Sequence, residues 1–555
     1  MLERHRNFSE TYERFVWEIP DLFNLGVDVC DKWADREPAR LAIIDIGADG
    51  VANEISFADL KAISNKLANA LRRRGVGRGE GAFGDRVGVL LAQRVETAAA
   101  HIAVSKLGCI SIPLFTLFGA EALCHRLKDS GAKAILTDRA GAEKIEPLRA
   151  ELPDLKVIMS VDGASGSAED FKRACEPESD RFDPVVTKAD DPAVLIYTSG
   201  TTGNPKGALH AHRVLIGHLP GVEMSHDFFP QPGDRIWTPA DWAWIGGLLD
   251  VLMPALHHGV TVVAHRFTKF SPRDAFELIR SHGVRNAFLP PTALKMMKIE
   301  SEKSGLAVPM RSVASGGESL GAELLKWGRA AFGCTINEFY GQTECNMIVS
   351  SCSVLEAPLP GVMGRPVPGH VVEVIDPETG NRQPDNVEGT IAVLAPDPVM
   401  FLEYWNNRDA TEEKFVRGEQ GKWLLTGDRG QRDAGGRIRF VGRDDDVINS
   451  AGYRIGPAEI ESCLIGHPAV QNAGVIGKPD ALRGEIVTAF VVVAEGYEPS
   501  DELAGDIASF VRSRLAAHEY PRELHFLDEL PMTTTGKIIR NRLRQILKEN
   551  EASPG

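Results

Sequence analysis

The feature that most constrains the fold is an apolar strand that runs directly into a loop of glycine and hydroxyl residues. Residues 193–197 read Ala-Val-Leu-Ile-Tyr, a run typical of a buried strand. The loop after it comprises Thr198, Ser199, Gly200, Thr201, Thr202, Gly203, Asn204, Pro205, Lys206 and Gly207. Glycines let backbone N–H groups approach an anion, hydroxyls add donors, and Lys206 adds positive charge. The stretch predicts a phosphate-binding loop of a kind other than Walker A, with a plain surface linker as the alternative.

Strands and helices alternate along much of the chain, which implies βαβ units and mostly parallel sheets. Predicted strands cover 86–92, 109–114, 132–137, 261–265, 286–289, 312–314 and 335–339, and predicted helices cover 57–74, 96–107, 121–130 and 272–282. The lead-in to about Leu25 is predicted to be helical, and 169–184 to be a polar surface excursion. Ligands of such sheets bind at the carboxyl ends of strands, so the loops after three strands are expected to form one composite site.

Composition narrows the class of protein. The chain has 555 residues, too many for one core, and a net charge of −15 argues against a general nucleic-acid binder. No apolar run approaches the roughly 20 residues that span a bilayer, and the N-terminus lacks the apolar core of a secretory signal. The eight cysteines are scattered without C-x-x-C pairs, so we expect neither a zinc site nor a disulfide framework. A cytoplasmic enzyme is the expectation.

The predicted secondary structure of the last part of the chain differs from the βα alternation before it. Residues 371–394 suggest strands without helices, a β-subdomain, and the charged run at 442–446 suggests a boundary near Arg443. Beyond it, a helix over 457–465, strands over 470–476 and 486–494, and a helix over 502–515 predict an α+β unit of about 110 residues. His210, His212 and His218 follow the glycine loop on a predicted helix, and we assign them to packing and solvent because no carboxylate cluster accompanies them.

Five ordered motifs identify a resemblance. They are YTSGTTGNPKG at Tyr197, YGQTE at Tyr340, LLTGDRG at Leu424, GRDDDVINSAGYRIGPAEIE at Gly442 and PMTTTGKIIR at Pro531. The chain resembles the AMP-forming acyl-CoA synthetases of the adenylate-forming superfamily, most of all the medium-chain branch. That resemblance implies an α/β protein with a large N-terminal domain of βα-type sheets plus a β-subdomain (1–442), a hinge (443–446) and a small mobile α+β C-terminal domain (447–555). It also implies two steps: a carboxylate attacks ATP to give an acyl-adenylate and pyrophosphate, and coenzyme A then displaces AMP.

The resemblance assigns residues to the nucleotide. Thr198 and Glu344 would hold Mg²⁺, Asp428 would accept hydrogen bonds from the ribose hydroxyls, and Arg443 would contact ribose or phosphate. Further ATP or AMP contacts fall on the residues of the 198–206 loop and of two later loops: Thr198, Ser199, Gly200, Thr201, Thr202, Gly203, Lys206, Gly317, Glu318, Ser319, Glu338, Phe339, Tyr340, Gly341, Gln342 and Thr343. Lys206 and Glu344 are assigned catalytic roles.

Lys537 is the residue that the resemblance places against the substrate carboxylate and α-phosphate. It lies in the run Thr533-Thr534-Thr535-Gly536-Lys537. Removal of one preorganised donor to developing charge costs about 10²–10³-fold in rate. The P-x₄-G-K pattern is also one that lysine acyltransferases modify in this family, so we expect acylation of Lys537 to switch the enzyme off.

The remaining assignments concern coenzyme A, the hinge and the acid. Asp445 is the predicted hinge, although three consecutive aspartates also suit a solvated turn. The predicted coenzyme A residues are Ala451, Gly452, Tyr453, Arg454, Arg483 and Arg522. Trp244, Gly341 and Leu289 are predicted to line the acyl pocket, which Gly341 should leave open because acetate-activating relatives carry tryptophan there. A monocarboxylate with an apolar tail is favoured.

Alternatives stay open. A short-chain or aryl acid, or transfer of the acyl group to a carrier protein, would keep the first half-reaction. A luciferase-like adenylating oxygenase would also keep it, and a nucleotide-binding scaffold without turnover belongs to another class. Acid-dependent exchange of pyrophosphate into ATP would separate an enzyme from a scaffold. The oligomeric state does not follow from the residues.

Overall fold

The computed structural model describes residues 2–47, 49–79, 83–198, 205–318, 320–443, 446, 448–450, 453–480, 483–515, 519–533 and 537–552. Its α-helices are Phe8–Arg14, Lys32–Arg36, Phe57–Arg73, Val95–Lys106, Ala120–Ser130, Arg139–Ile145, Phe171–Cys175, Val214–Ser225, Ile245–Gly247, Met253–His257, Pro272–Ser281, Pro291–Ser304, Ala322–Phe332, Arg408–Glu413, Pro457–Ile465, Asp501–Arg512 and Arg540–Ala552. Val27–Asp31 and Leu248–Leu252 are π-helical, and Glu146–Glu151 is a 3₁₀ turn.

Two large sheets form most of the chain. In spatial order, sheet A contains Arg365–Pro366, Cys345–Ser350, Ile336–Gln342, Ser312–Gly316, Asn286–Phe288, Arg235–Trp237, Thr261–Ala264, Leu41–Ile46 and Ala52–Ser56. Sheet B contains Glu403–Tyr404, Lys206–Ala211, Pro192–Thr198, Ile110–Pro113, Arg86–Leu90, Ala134–Thr137, Val157–Ser160 and Glu169–Asp170. Both have parallel centres, as the alternation of strands and helices predicts. Sheet A is antiparallel at both edges, whereas sheet B is antiparallel only at the edge that contains Lys206–Ala211.

Two smaller sheets follow. Sheet C, entirely antiparallel, contains Val372–Ile375, Glu388–Ala395, Gly421–Arg432, Phe415–Gly418 and Ile438–Arg443, which confirms the β-subdomain. Sheet D contains Tyr453–Ile455, Ile448–Ser450, Gly484–Val493, Val470–Asp480 and Glu523–Phe526. Helices cover both faces of this sheet. Ile460, Leu464, Ile507 and Val511 are buried with Val475 and Val491 on one face, and Leu543 and Leu547 are buried with Ile476 and Phe490 on the other. This is the small α+β unit expected after Arg443.

The amphipathic helix predicted at 57–74 is present as Phe57–Arg73. A capping box between Ser56 and Asp59 begins it, and its apolar stripe is buried. The lead-in prediction is wrong in extent, since the helix there covers only Phe8–Arg14. The segment 169–184 is also more than a surface excursion: Phe171, Cys175 and Phe182 are buried in a core between Phe57–Arg73 and sheet B.

The prediction of one helix after the glycine loop is wrong. His210 lies on the strand Lys206–Ala211, His212 follows it, and His218 lies on Val214–Ser225. All three are fully buried, and burial lowers the pKa of His210 to about 3 and of His212 and His218 to about 4. They pack in the interior and do not face solvent, because the antiparallel return of the strand turns this segment inward.

Candidate active site

The glycine loop joins two paired strands of sheet B. Thr198 is the last residue of Pro192–Thr198 and lies opposite Lys206, the first residue of Lys206–Ala211. The Thr198 hydroxyl donates to the Lys206 carbonyl at 3.4 Å. Residues 199–204, which carry most of the predicted phosphate contacts, lie outside the described part of the chain. The strand-to-loop geometry is that of a ligand loop at a sheet edge.

A pair of strands in sheet C brings two predicted ribose residues together. Asp428 and Arg443 are cross-strand partners, with Arg443 Nε 3.7 Å from Asp428 Oδ1. The phenol of Tyr340, on sheet A, donates to Asp428 Oδ2 at 2.6 Å. Burial raises the pKa of Asp428, while Arg443, the Tyr340 hydrogen bond and Lys537 act in the opposite direction. Three separate motifs therefore meet at one carboxylate.

The predicted adenine wall lies at the next strand end. Gly317 has φ +101°, a conformation that favours glycine, and Glu318 lies 3.4 Å from Lys295 Nζ. Glu338 is buried, and its carboxylate accepts a 3.2 Å hydrogen bond from the Leu320 N–H. Glu338 therefore supports the chain just after this wall. Burial raises its pKa to about 8, and Ser319 lies outside the described residues.

The neighbouring strand residues have structural partners. Phe339 is buried, with its ring centroid 5.2 Å from that of Phe288. Gln342 donates to the Thr426 carbonyl at 3.0 Å and so ties sheet A to sheet C. Thr343 follows directly, ahead of Glu344.

The chemistry around Glu344 suits a hard cation. Glu344 is buried and accepts a short hydrogen bond from the hydroxyl of Tyr404, which lies on the edge strand of sheet B. The Lys206 ammonium is 5.4 Å from the Tyr404 ring centroid, which links Lys206 to the same place. Among the described residues no group of three or more carboxylate, histidine or cysteine side chains could cage a metal. One carboxylate and one hydroxyl still fit Mg²⁺, which is commonly held by few protein ligands together with phosphates and water.

Lys537 reaches this cleft from the C-terminal unit. Its Cε lies 3.6 Å from where a Cβ at Gly317 would stand. The Lys537 backbone N–H donates to Thr533 Oγ1 at 3.0 Å, and the Thr533 N–H donates to the Lys537 carbonyl at 2.7 Å. The side chain keeps access to solvent, yet desolvation by surrounding protein lowers its pKa, opposed by Asp428 and Glu318. An ammonium in this position can neutralise charge developing beside the nucleotide residues.

The predicted acyl-pocket residues Trp244 and Leu289 lie in different surroundings. Trp244 is half-buried, with its ring 5.6 Å from Phe115 and 6.0 Å from Phe118. Leu289 is fully buried in a core with Trp237 and Leu294, on the opposite side of its strand from Phe288, whose ring faces Gly246. Phe288 thus stands where Leu289 was expected, because side chains alternate along a strand.

Gly341 does not leave simple open space. A Cβ there would lie 2.4 Å from both Asn346 Oδ1 and Met347 N. Glycine at 341 therefore permits the close approach of the chain at 346–347. The expectation that Gly341 leaves the pocket open is therefore corrected: Asn346 occupies the direction that a side chain at 341 would take.

Several residues predicted for coenzyme A binding and for the hinge lie outside the described part of the chain. Ser450 pairs with Gly484, so the strand end before Ala451 and Gly452 lies beside Arg483; those two residues, and Asp445, lie outside the described chain. Tyr453 and Arg454 begin the strand Tyr453–Ile455.

Two arginines of that set are exposed. The Arg483 backbone N–H donates to Asp480 Oδ1 at 2.9 Å, and the Arg522 guanidinium lies 4.9 Å from the Tyr520 ring centroid. Beside the hinge, Asp446 pairs with Arg540 at 3.4 Å and with Arg544 at 3.0 Å. The helix after Lys537 is thereby tied to the hinge.

Sequence reasoning missed Tyr404, Phe288, Asp250 and Asn346. Tyr404 is more than 50 residues from Glu344 in the chain and reaches it only through the sheet edge Glu403–Tyr404. Asp250 carried a signal: it is a single acid within the apolar run Leu248–Leu252.

Similarity to known proteins agrees with this geometry. The family model "AMP-binding enzyme" matches residues 30–405, and "AMP-binding enzyme C-terminal domain" matches 459–537. The acetyl-coenzyme A synthetase of Bacillus subtilis (strain 168) is 34% identical over 97% of this chain and 95% of its own. A mitochondrial acyl-coenzyme A synthetase of Homo sapiens is 34% identical over 96% and 92%. The crystal structure of ATP-bound MatB from Rhodopseudomonas palustris superposes with a TM-score of 0.82 at 29% identity, covering 95% of this chain and 99% of that one.

Two large mixed sheets, a β-subdomain and a small α+β unit, matched by the ATP-bound MatB structure over 95% of this chain, define an adenylate-forming enzyme. The chain belongs to the AMP-binding enzyme family, and within it to the AMP-forming acyl-CoA synthetases. It is an ATP-dependent acid–CoA ligase. The described residues contain no helix of sufficient length and apolarity to cross a membrane.

Proposed function

We propose that the enzyme activates a monocarboxylic acid longer than acetate, in the medium-length range, and joins it to coenzyme A in a Mg²⁺-dependent reaction. The observation that carries the proposal is the approach of Lys537 to Gly317 and Asp428. It supports the adenylation step, in which the lysine from one unit faces the nucleotide residues of the other. The relatives leave the length open, since an acyl-coenzyme A synthetase of human mitochondria and an acetyl-coenzyme A synthetase of Bacillus subtilis are equally similar. The longer acid is favoured by the sequence resemblance to the medium-chain branch.

The nucleotide residues and Lys537 act together in the first step. Asp428, held by Tyr340 and Arg443, accepts hydrogen bonds from the ribose hydroxyls of ATP. The 198–206 loop binds the β- and γ-phosphates, and Lys206 adds charge there. Lys537 holds the acid carboxylate and the α-phosphate together as the oxygen–phosphorus bond forms and pyrophosphate leaves.

Glu344 and Thr198 would hold Mg²⁺, whose charge offsets that of the phosphates. For the second step, rotation at Asp445 would exchange the Lys537 face for the face that carries Gly452, Arg454, Arg483 and Arg522. The thiol of coenzyme A then attacks the acyl carbon and AMP leaves. A cytoplasmic location and a small-molecule acid as partner belong to the same proposal.

The proposal is tested by AMP release with ATP, Mg²⁺ and coenzyme A across straight acids from acetate to decanoate, plus benzoate. A maximum at medium length supports it. A maximum at acetate or propionate would contradict it and would mean that Asn346 closes the pocket much as a tryptophan at 341 would. A benzoate maximum would instead favour an aryl-acid ligase.

We also propose that a lysine acyltransferase acts on Lys537. The Lys537 side chain is exposed, and the Lys537 backbone is hydrogen-bonded to Thr533 through both its N–H and its carbonyl. Acylation removes the charge that adenylation needs. Mass spectrometry of the acylated protein alongside an activity assay would test this, and full activity with Lys537 fully acylated would rule it out.

A further inference from the structure

A single carboxyl group is buried in the apolar segment that follows Trp244. Asp250 is 2% exposed, and Leu248, Leu249, Val251 and Leu252 around it are at most 1% exposed. A carboxyl taken out of water is costly unless it has hydrogen-bond partners. The partners of Asp250 therefore indicate whether it only supports the fold or also has a ligand.

Only one of the two carboxyl oxygens of Asp250 has a hydrogen-bond partner among the described residues. Its Oδ1 accepts a 2.6 Å hydrogen bond from Asn346 Nδ2, and no described residue donates to Oδ2. His218 Nε2 lies 3.8 Å from Oδ1, too far for a hydrogen bond.

The tautomer of His218 can be deduced. Its Nδ1 lies 2.7 Å from the Val214 carbonyl, which can only accept, so Nδ1 carries the proton of the neutral ring. Nε2 is then an acceptor, and it has no partner in the described chain. Two acceptors, Asp250 and His218, thus face one another without a donor between them. The arrangement lacks one hydrogen-bond donor.

The same group lies against the region assigned to the acyl chain. A Cβ at Gly246 would stand 3.5 Å from Asp250 Oδ2 and 3.0 Å from the Phe288 ring, and Asn346 fills the Cβ direction of Gly341. Gly246 follows Trp244 by two residues, and Gly341 follows Tyr340. Asp250 Oδ2 therefore lies near Gly246 and the Phe288 ring, on the segment that begins at Trp244.

We propose that Asp250, held by Asn346, determines substrate specificity by accepting a hydrogen bond from a hydroxyl or amino group on the tail of the acid. The inference rests on the proposed function and refines the apolar tail expected from the sequence. An apolar tail would leave the buried carboxyl without its second partner, whereas a tail with a donor supplies it. Sites built to bond a substrate hydroxyl discriminate strongly against the analogue that lacks it. Burial also raises the pKa of Asp250 well above its usual value, as expected for an incompletely partnered carboxyl.

The experiment compares kcat/KM for acids of nearly equal volume that differ by a methyl, hydroxyl or amino group. The probes are hexanoate with 5-hydroxypentanoate, and 4-methylbenzoate with 4-hydroxybenzoate and 4-aminobenzoate. We expect the wild type to prefer the donor-bearing member of at least one set by about 10-fold, the upper range of an ordinary hydrogen bond. The hydroxy and amino arms show which donor is recognised.

Asp250→Leu, which removes both carboxyl oxygens, should reverse that preference by lowering kcat/KM for the donor-bearing acid and not for the methyl acid. If this variant fails to fold, Gly246→Ala places a methyl over Oδ2 and should reduce the preference in the same direction. Glu223→Gln is the matched control, since Glu223 is equally buried but pairs with His258 at 3.0 Å. It should leave the ratio unchanged.

The outcomes separate the two proposals. Turnover with a methyl preference in the wild type, or an equal loss for all acids in Asp250→Leu and Gly246→Ala, would overturn the inference and leave the acyl-CoA synthetase proposal standing. No acid-dependent AMP release with any probe, including the straight acids, would overturn the proposed function and the inference with it.

Discussion

The Tyr340 hydroxyl donates a 2.6 Å hydrogen bond to Asp428 Oδ2, although the two residues lie on different sheets and 88 positions apart. Asp428 is 9% exposed and has Arg443 on its other oxygen. The hydrogen bond orients the carboxylate that is proposed to bind the ribose. Tyr340 therefore serves as a positioning residue as well as a ring beside the nucleotide.

Tyr340→Phe should weaken ATP binding. It removes the hydrogen bond but keeps the ring, so the Asp428 carboxyl loses the group that orients it and helps to lower its pKa. We expect the KM for ATP to rise about tenfold, in line with one charge-assisted hydrogen bond, with a smaller change in the KM for the acid. Steady-state kinetics with each substrate varied will measure this. Tyr497→Phe, at an exposed tyrosine, should change neither constant, and an unaltered KM for ATP in Tyr340→Phe would contradict the assignment.

Lys537→Ala should abolish most of the adenylation rate. The expected loss is about 10²–10³-fold, because one preorganised cation at the developing charge is removed. Acid-dependent exchange of pyrophosphate into ATP isolates this step. Lys548→Ala removes an exposed lysine from the following helix and should behave as wild type, so that loss of net charge alone is excluded. Retention of exchange in Lys537→Ala would refute the role.

Adenylation should decline on the alkaline side as Lys537 loses its proton. Since desolvation lowers the Lys537 pKa from its ordinary 10.5, the midpoint of that decline should lie below 10.5. Asp428 raises this pKa and Arg443 lowers it. In the pH profile of kcat/KM for ATP, which reports the free enzyme, Asp428→Asn should therefore move the midpoint to lower pH and Arg443→Gln to higher pH. Shifts of the same sign in both variants would exclude Lys537 as the titrating group.

Glu338 should make stability depend on pH. Its pKa is raised from an ordinary 4.5 to about 8 by burial, so the native state binds this proton more tightly than the unfolded chain. Its contribution to stability is fully present below about pH 4.5 and is lost as pH rises through about 8. Glu338→Gln keeps the shape without the charge, so its Tm relative to wild type should rise between pH 5.5 and pH 8.5.

The control for Glu338 is Glu378→Gln, at an exposed turn. Its Tm difference from wild type should be the same at both pH values. A constant difference for Glu338→Gln as well would mean that its carboxyl does not titrate in this range.

Asp445→Pro tests the hinge. Proline fixes φ near −65°, so we expect adenylation to persist and thioester formation to fall sharply. Asp445→Ala keeps backbone rotation and should affect the second step far less. Pyrophosphate exchange reports the first half-reaction, and transfer from preformed acyl-adenylate to coenzyme A reports the second. Equal losses in both would argue against a hinge at this position.

Local pattern was sufficient for much of the architecture. The strand into Thr198, the helix at Phe57–Arg73 and the sheet at Val372–Arg443 follow from periodicity and glycine placement, because near neighbours in sequence decide local backbone conformation. The motif residues Asp428, Arg443, Tyr340 and Lys537 follow instead from the resemblance to the acyl-CoA synthetases, which local pattern alone does not supply. Errors arose where a segment was classed by polarity alone, as at 169–184, whose few apolar residues are buried.

Long-range contacts needed the tertiary structure. That Tyr340 bonds Asp428, that Tyr404 bonds Glu344, and that Phe288 rather than Leu289 faces Gly246 depend on which strands pair and in which register. Strand pairing and register are set by the free energy of the whole fold, and no local sequence pattern specifies them. The sequence by itself determined the class of enzyme, its motifs and its strand-end chemistry. Only the tertiary structure placed the buried Asp250 beside Asn346 and Gly246, because packing brings distant segments into contact.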